Sequence, residues 1–175
     1  MQTRRLGPAA ALATAVLALS AGPATAVAPQ PSVAFAGHLV GGPGATTVKI
    51  TYTCSATDTP LSHLFVAVKQ GPNVSPENSS SDSADTFYST NWKADRGPNA
   101  LQCDGVQHKQ TIVLKPQPGF DAAVRRLHAG AALVQLCLYD NVTGFSEQGE
   151  PVGGGFASSY TMEHVRAGKH RHHQH

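Results

Sequence analysis

The chain has 175 residues and a formal net charge of +2, from 13 Lys and Arg against 11 Asp and Glu. This length accommodates one domain with its own hydrophobic core. A nearly neutral chain without a dense basic stretch argues against nucleic-acid binding, which needs a strongly basic face.

Residues 1–26 have the pattern of a secretory signal peptide. Arg4 and Arg5 precede an Ala/Leu-rich run over residues 9–19, and a small-x-small cleavage sequence ends at Ala26. The apolar run is shorter than the roughly 20 residues that span a bilayer. We therefore expect export by the general secretory route, cleavage after Ala26 and a secreted, extracellular protein with no membrane partner. Removing 2 of the 13 basic residues leaves 11 basic against 11 acidic, so the mature net charge is zero.

The next part of the chain predicts three strands. After a flexible leader at residues 27–31, weak alternation over 33–40 indicates the first strand, and a Gly/Pro-rich turn follows it. Residues 46–54 alternate strictly, which is typical of a half-buried strand. The core side of that strand would carry Val48, Ile50, Tyr52 and Cys54. The third strand is predicted over 63–69, with one side formed by Leu64, Val66 and Val68.

Residues 71–99 form a polar insertion that contains three prolines and a serine run. Long segments of this kind are functional or disordered more often than they are part of a compact core. We expect a mobile loop to about residue 83 and an edge strand over 86–92. The aromatic residues of this strand have two interpretations, a ligand-binding cluster or ordinary edge packing, and they are Phe87, Tyr88 and Trp92.

The second half of the chain continues the β pattern. An Asp-Gly turn closes a strand over 101–105, and further strands are predicted over 106–114, 131–140 and 156–165. One short helix is predicted over 121–128. Seven or eight short strands with turns between them indicate an all-β protein, an immunoglobulin-like Greek-key β-sandwich over residues 32–167.

Three cysteines remain after export into an oxidising compartment, where disulfides persist. Cys137 is out of phase with the apolar side of its strand, and no tyrosine lies two residues before it as a tyrosine corner would require. Cys54 and Cys103 both lie at strand ends, and a bond between them closes a loop of 103 − 54 = 49 positions. The sequence therefore predicts a Cys54–Cys103 disulfide and a reduced Cys137 against one sheet face.

Three pieces of this sequence resemble a group of small secreted actinobacterial proteins. The pieces are residues 52–55 (YTCS), residues 66–71 (VAVKQG) and residues 103–105 (CDG) with His108 three positions later. Proteins of this group have an Ala-rich signal peptide, one immunoglobulin-like domain and no assigned function. The resemblance covers about residues 48–140 and implies this fold, export and a structural pair of the two shared cysteines. It implies no active site, and Cys137, the insertion and the C-terminal histidines depart from its pattern.

Export, size and small-residue composition are also similar to those of the actinobacterial apoproteins that carry enediyne chromophores. Those proteins use two disulfides, whereas three cysteines cannot supply four partners. The similarity supports an alternative function, a small-molecule carrier with a cleft lined by the aromatic residues of the insertion.

No motif for catalysis is complete in the sequence. The segment over residues 144–149 approaches the nucleophile elbow G-x-S-x-G, but its second glycine comes one position late and no helix is predicted after it. P-loop, H-E-x-x-H and C-x-x-C motifs do not occur. We therefore expect a non-catalytic extracellular binding or accessory module without a cofactor.

A histidine-rich tail over residues 168–175 is the one chemical signal in the sequence. Clustered imidazoles bind Zn²⁺, Cu²⁺ or Ni²⁺, and the candidate ligands are His170, His172, His173 and His175. One interpretation is a weak extracellular metal binder. The other is a disordered, solubilising tail that binds these metals only adventitiously.

Overall fold

The computed structural model describes residues 30–40, 46–55, 61–90, 100–117 and 126–166. These residues form an all-β structure with one short 3₁₀ helix at Ser81–Ser83. The strands are β1 Ser32–Phe35, β2 Leu39–Val40, β3 Thr46–Thr53, β4 His63–Gln70, β5 Thr86–Ser89, β6 Gln107–Pro116, β7 Gly130–Asp140, β8 Gly144–Phe145, β9 Pro151–Val152 and β10 Gly155–Arg166. The predicted signal peptide, Trp92 and the histidine tail lie outside the described residues.

Eight of the strands form one curled sheet in the order β1-β3-β6-β5-β4-β7-β10-β2, and β8 and β9 form a small hairpin. The strand β5 connects two layers, because it pairs with β4 along its length and with β6 only at Tyr88 and Ser89. Across the interior, β1 approaches β7 and β10. The arrangement is consistent with a β-sandwich.

The core between the layers follows the alternation that the sequence predicts. In β3 the buried apolar positions are Val48, Ile50 and Tyr52, with Cys54 directly after the strand. The facing layer contributes the predicted residues Leu64, Val66 and Val68 of β4 to the same cluster. It also contributes Val134, Leu136 and Leu138 of β7. Burying a Val, Leu or Ile side chain contributes roughly 1.5–3 kcal/mol, so this cluster is the main source of stability.

The strand β4 is buried on both of its faces. Its outward side chains join a second, smaller cluster that consists of Phe65, Ala67 and Cys137, with Phe87 and Tyr139 packed against it. Cys137 is a free, buried cysteine on this outer face, as predicted from its phase in β7. The disulfide joins Cys54 to Cys103, with Cα atoms 4.9 Å apart, which confirms the predicted pairing.

Three expectations for secondary structure differ from what is observed. Residues 100–106 are irregular, because the Asp-Gly turn extends a loop held by the disulfide rather than closing a strand. The strand β5 is internal rather than an edge, since it has neighbours on both sides. Of the helix predicted over 121–128, residues 121–125 lie outside the described part and 126–128 are not helical.

Within the insertion, residues 71–85 form a loop with its own hydrogen bonds, and residues 91–99 lie outside the described part. Val74 is buried, and backbone bonds between Ser75 and Asn78 close a turn in both directions, at 3.3 and 3.1 Å. The 3₁₀ helix is capped by the side chain of Ser80, which accepts from the Asp82 amide. In the described part of the chain, no helix has the length and apolar character needed to cross a membrane.

Candidate binding surface on the outer face of the sheet

A row of aromatic rings crosses the outer face of β4, β7 and β10. His63 is the register partner of Tyr139, and Tyr139 is the partner of Phe156. Side chains directly opposite each other in antiparallel strands project on the same side and touch. The ring centroids of His63 and Tyr139 are 4.8 Å apart and nearly parallel, and those of Tyr139 and Phe156 are 5.1 Å apart.

The hairpin β8–β9 lengthens this row by one ring. Phe145 of β8 lies against His63, with the ring centroids 5.7 Å apart. We call the four residues Phe145, His63, Tyr139 and Phe156 the aromatic row. Its two ends are open to solvent, with Phe145 38% and Phe156 55% exposed.

The strand β10 reverses the usual distribution of side chains between the two faces of a sheet. Antiparallel sheets with one solvated face usually place apolar residues inward and polar residues outward. Here the inward positions carry Ala157, Ser159, Thr161 and Glu163, whereas the exposed positions include Phe156, Tyr160 (37% exposed) and Met162 (42% exposed). Ser158 separates Phe156 from the exposed pair Tyr160 and Met162 on this side of the strand.

The aromatic row is uncharged. Nδ1 of His63 lies 2.9 Å from the carbonyl oxygen of Leu61, and because a carbonyl only accepts, Nδ1 carries the proton. Burial lowers the pKa of His63, and the bond to Leu61 opposes this shift. Burial likewise raises the pKa of Tyr139 above its ordinary value. Both rings are therefore neutral near pH 7. His63 is buried, so the rings that the row presents to solvent are mainly those at its ends.

A buried lysine forms the boundary between this face and the insertion. Lys69 is only 4% exposed, and its Nζ donates to Oε1 of Gln135 at 2.8 Å and to the carbonyl oxygen of Ser79. The ammonium group also lies 5.2 Å from the ring centroid of Phe87, a cation–π geometry. Burial lowers the pKa of Lys69. These bonds hold the loop over residues 71–85 against the sheet.

The free thiol lies beside this boundary. Nε2 of Gln135 is 3.4 Å from the hydroxyl of Tyr160, and Sγ of Cys137 is 3.7 Å from the same oxygen. Burial and the bond with Cys137 raise the pKa of Tyr160. Gln135 therefore connects Lys69 to Tyr160 on the exposed face of β10.

The residues predicted to line a ligand cleft are separated by the structure. Phe87 and Tyr88 are consecutive in β5, so their side chains project to opposite faces. Tyr88 is 1% exposed and belongs to the core, whereas Phe87 packs on the outer cluster. A single cleft cannot be lined by both rings. Trp92, the third predicted member, lies outside the described residues.

A polar cleft of about 230 Å³ lies elsewhere, beside the disulfide-bearing loop, and it is lined by Tyr52, Ala100, Gln102, His108, Lys109 and Gln110. Oδ1 of Asp104 accepts from Nε2 of His108 at 2.8 Å and from the amide of Val106 at 3.1 Å. These bonds lower the pKa of Asp104. The Tyr52 hydroxyl accepts from the Gln102 amide at 3.0 Å. The CDG and His108 motif thus builds the loop.

One cluster has the composition of a metal site but not its chemistry. Ligand atoms of Cys54, Cys103 and Asp140 lie within 4.8 Å of one another. The two sulfurs are bonded to each other, so neither is a thiolate that could bind a metal. Oδ2 of Asp140 instead accepts from the Ser55 amide at 3.0 Å and fixes the chain after β3.

Sequence reasoning missed the aromatic row. Its members are distant in the chain, and only the register of β4, β7 and β10 brings them together. One local signal was present, the apolar residues Phe156, Tyr160 and Met162 at alternate positions of the last strand. Comparison of the chain with protein-family models, curated proteins and solved structures found no match.

Proposed function

We propose that this protein is a secreted, non-catalytic binding module of the immunoglobulin-like type, and that the aromatic row is its binding surface. The observation that carries the proposal is the run of four contacting rings with exposed ends at Phe145 and Phe156. Aromatic residues dominate interface energetics because one rigid ring covers a large area at a small entropic cost. The four rings carry no charge, which favours a macromolecular surface that presents apolar or neutral groups as the partner. The carboxylate of Glu150, which contributes to the raised pKa of Tyr139, is the charged group next to the row.

The strand order supports the immunoglobulin-like assignment. In that fold one layer has the order A-B-E-D and the other the order C-F-G. Here β1, β3, β6 and β5 correspond to A, B, E and D, while β4, β7 and β10 correspond to C, F and G. The short strand β2 pairs in parallel with the end of β10, so the first strand is divided between the two layers.

Two observations support the extracellular location. The first 26 residues have the sequence pattern of an export signal. The Cys54–Cys103 disulfide belongs to an oxidising compartment, because cytosolic thiols are kept reduced.

The test uses the insoluble cell-envelope fraction of the source organism and measures how much protein sediments with it. The row variant is Phe145→Ser with Phe156→Ser. The matched control is Val106→Ser with Val113→Ser, which removes two other exposed apolar side chains away from the row. We expect the row variant to bind at least about tenfold more weakly than the natural protein, since loss of an interface anchor costs more than 1.4 kcal/mol. The proposal is contradicted if the row variant binds as strongly as the natural protein. It is also contradicted if the control variant loses as much binding as the row variant.

A further inference from the structure

The strand β10 has a free edge. On one side it pairs with β7 from Gly155 to Val165, and on the other side β2 pairs only with Val165 and Arg166. Over residues 155–164 no strand of the described chain is hydrogen-bonded to this second side. At about 3.4 Å per residue, the unpaired edge is roughly 34 Å long.

Pro31 packs beside Gly155 at the start of this edge, but residues 155–164 themselves lack the sequence features with which proteins protect exposed strands. Natural edges carry lysine, proline or a bulge, or are short and covered. Residues 155–164 contain no lysine and no proline, their pairing with β7 runs without interruption, and their one acidic side chain is Glu163. A long, regular and nearly uncharged edge is a template for another strand.

We infer that this edge pairs with the same edge of a second copy of the chain, with the two β10 strands antiparallel about a two-fold axis at Tyr160. In such a dimer the axis is perpendicular to the sheet, so the interface is self-complementary. The outward side chains then pair Phe156 with His164, Ser158 with Met162 and Tyr160 with itself. Aromatic rings face each other in two of these three pairings, which is a favoured cross-strand combination.

The position of the one acidic residue of this edge is compatible with the register about Tyr160. Glu163 projects inward and faces Ala157 of the second copy, so no like charges are directly opposite. The interface also continues the apolar surface of Tyr160 and Met162, which is exposed in the single chain. A second copy of the chain therefore supplies hydrogen-bond partners for the backbone of β10 and contacts for its exposed apolar side chains.

Dimerisation would place both outer faces on the same side of one continuous sheet. If the aromatic row is the binding surface, as proposed above, the dimer presents two of them to one partner surface, and binding becomes bivalent. This consequence rests on the proposed function, whereas the pairing of β10 does not.

Two double variants test the register by sedimentation equilibrium. Ser158→Lys with Met162→Lys places like charges opposite each other twice, whereas Ser158→Glu with Met162→Lys places opposite charges there. The two positions are four residues apart in one strand, about 13 Å, so they interact weakly within a single chain. We expect the first variant to dimerise on the order of tenfold more weakly than the second.

A monomeric natural protein, or equal dimerisation by the two variants, overturns the inference. Amide hydrogen exchange of the natural protein gives a measurement that does not depend on the variants. We expect exchange in residues 155–164 to slow as protein concentration rises, while the edge strand β1 is unaffected. Protection of β10 that is independent of concentration also overturns it. Neither measurement uses the envelope fraction, so failure here is distinct from failure of the proposed function.

Discussion

Phe87 and Tyr88 are adjacent in β5 and lie in different hydrophobic clusters on opposite faces of the sheet. Tyr88 packs in the main core with residues of β3, β4 and β6, whereas Phe87 contacts the outer cluster and the ammonium group of Lys69. One aromatic ring of β5 therefore packs in the core, and the other packs on the outer face of the sheet.

Replacement of these two rings should have unequal effects. We expect Tyr88→Ala to lower the free energy of unfolding by about 3–5 kcal/mol, because it leaves a large cavity in a filled core. Phe87→Ala should cost less than half of that, because its ring is only partly buried. Urea unfolding of the two variants measures both values, and an equal or larger loss for Phe87→Ala would contradict the separation of the faces.

The disulfide should be a major stabilising element. Its loop of 49 positions predicts a contribution of roughly 4 kcal/mol in the chain-entropy model. We expect the double variant Cys54→Ala, Cys103→Ala to unfold at correspondingly lower urea concentration. Cys137→Ala is the control, because it removes a thiol but no cross-link. Non-reducing peptide mapping that linked Cys137 to either partner would be incompatible with this structure.

The bond between Lys69 and Gln135 should show strong energetic coupling. Gln135→Leu leaves a buried ammonium group short of an acceptor, and we expect it to lower the free energy of unfolding by about 1–3 kcal/mol. Combining it with Lys69→Met removes the charge as well, so the double variant should lose less than the sum of the single losses. Gln148→Leu, on an exposed turn, serves as the control. Additive losses in the double-mutant cycle would show that the bond is not formed.

Stability should decrease on acidification because of His63. Burial lowers the pKa of His63 in the folded protein below the ordinary value of 6.5. Between these two pKa values the unfolded chain binds the proton and the folded chain does not, so the free energy of unfolding falls as pH drops below about 6.5. Across this pH range, the free energy of unfolding should fall less steeply in the variant His63→Gln than in the natural protein. The glutamine keeps a donor for the carbonyl oxygen of Leu61. Identical slopes would exclude a buried neutral imidazole.

The core could be predicted from the sequence because the alternation of inward and outward residues in a strand is visible over a few consecutive positions. The inward apolar residues of β3, β4 and β7 are two positions apart in the sequence. The residues between them are polar or belong to the outer face of the sheet. The phase of Cys137 followed from the same alternation. The disulfide pairing was also predicted correctly, although the strand that was expected to end at Cys103 is an irregular loop.

The aromatic row could not be predicted in the same way, because it depends on register between distant strands. His63 and Tyr139 are 76 positions apart, 139 − 63, and meet only because β4 and β7 pair antiparallel. The prediction at residues 87–92 instead grouped rings that are close in sequence, and strand alternation separates Phe87 from Tyr88. The reversed pattern of β10 was visible in the sequence, but an outward apolar residue cannot be distinguished from an inward one until the partner strand is known.

Ring-selective NMR with ¹³C-labelled Phe and Tyr would test the central claim most directly. Signals are recorded before and after addition of a solubilised cell-envelope fraction. We predict shifts for Phe145, Tyr139 and Phe156, with Tyr52, which borders the polar cleft, and Tyr88 in the core unchanged. Shifts confined to Tyr52 would identify the cleft beside the disulfide loop as the binding site and contradict assignment of the aromatic row.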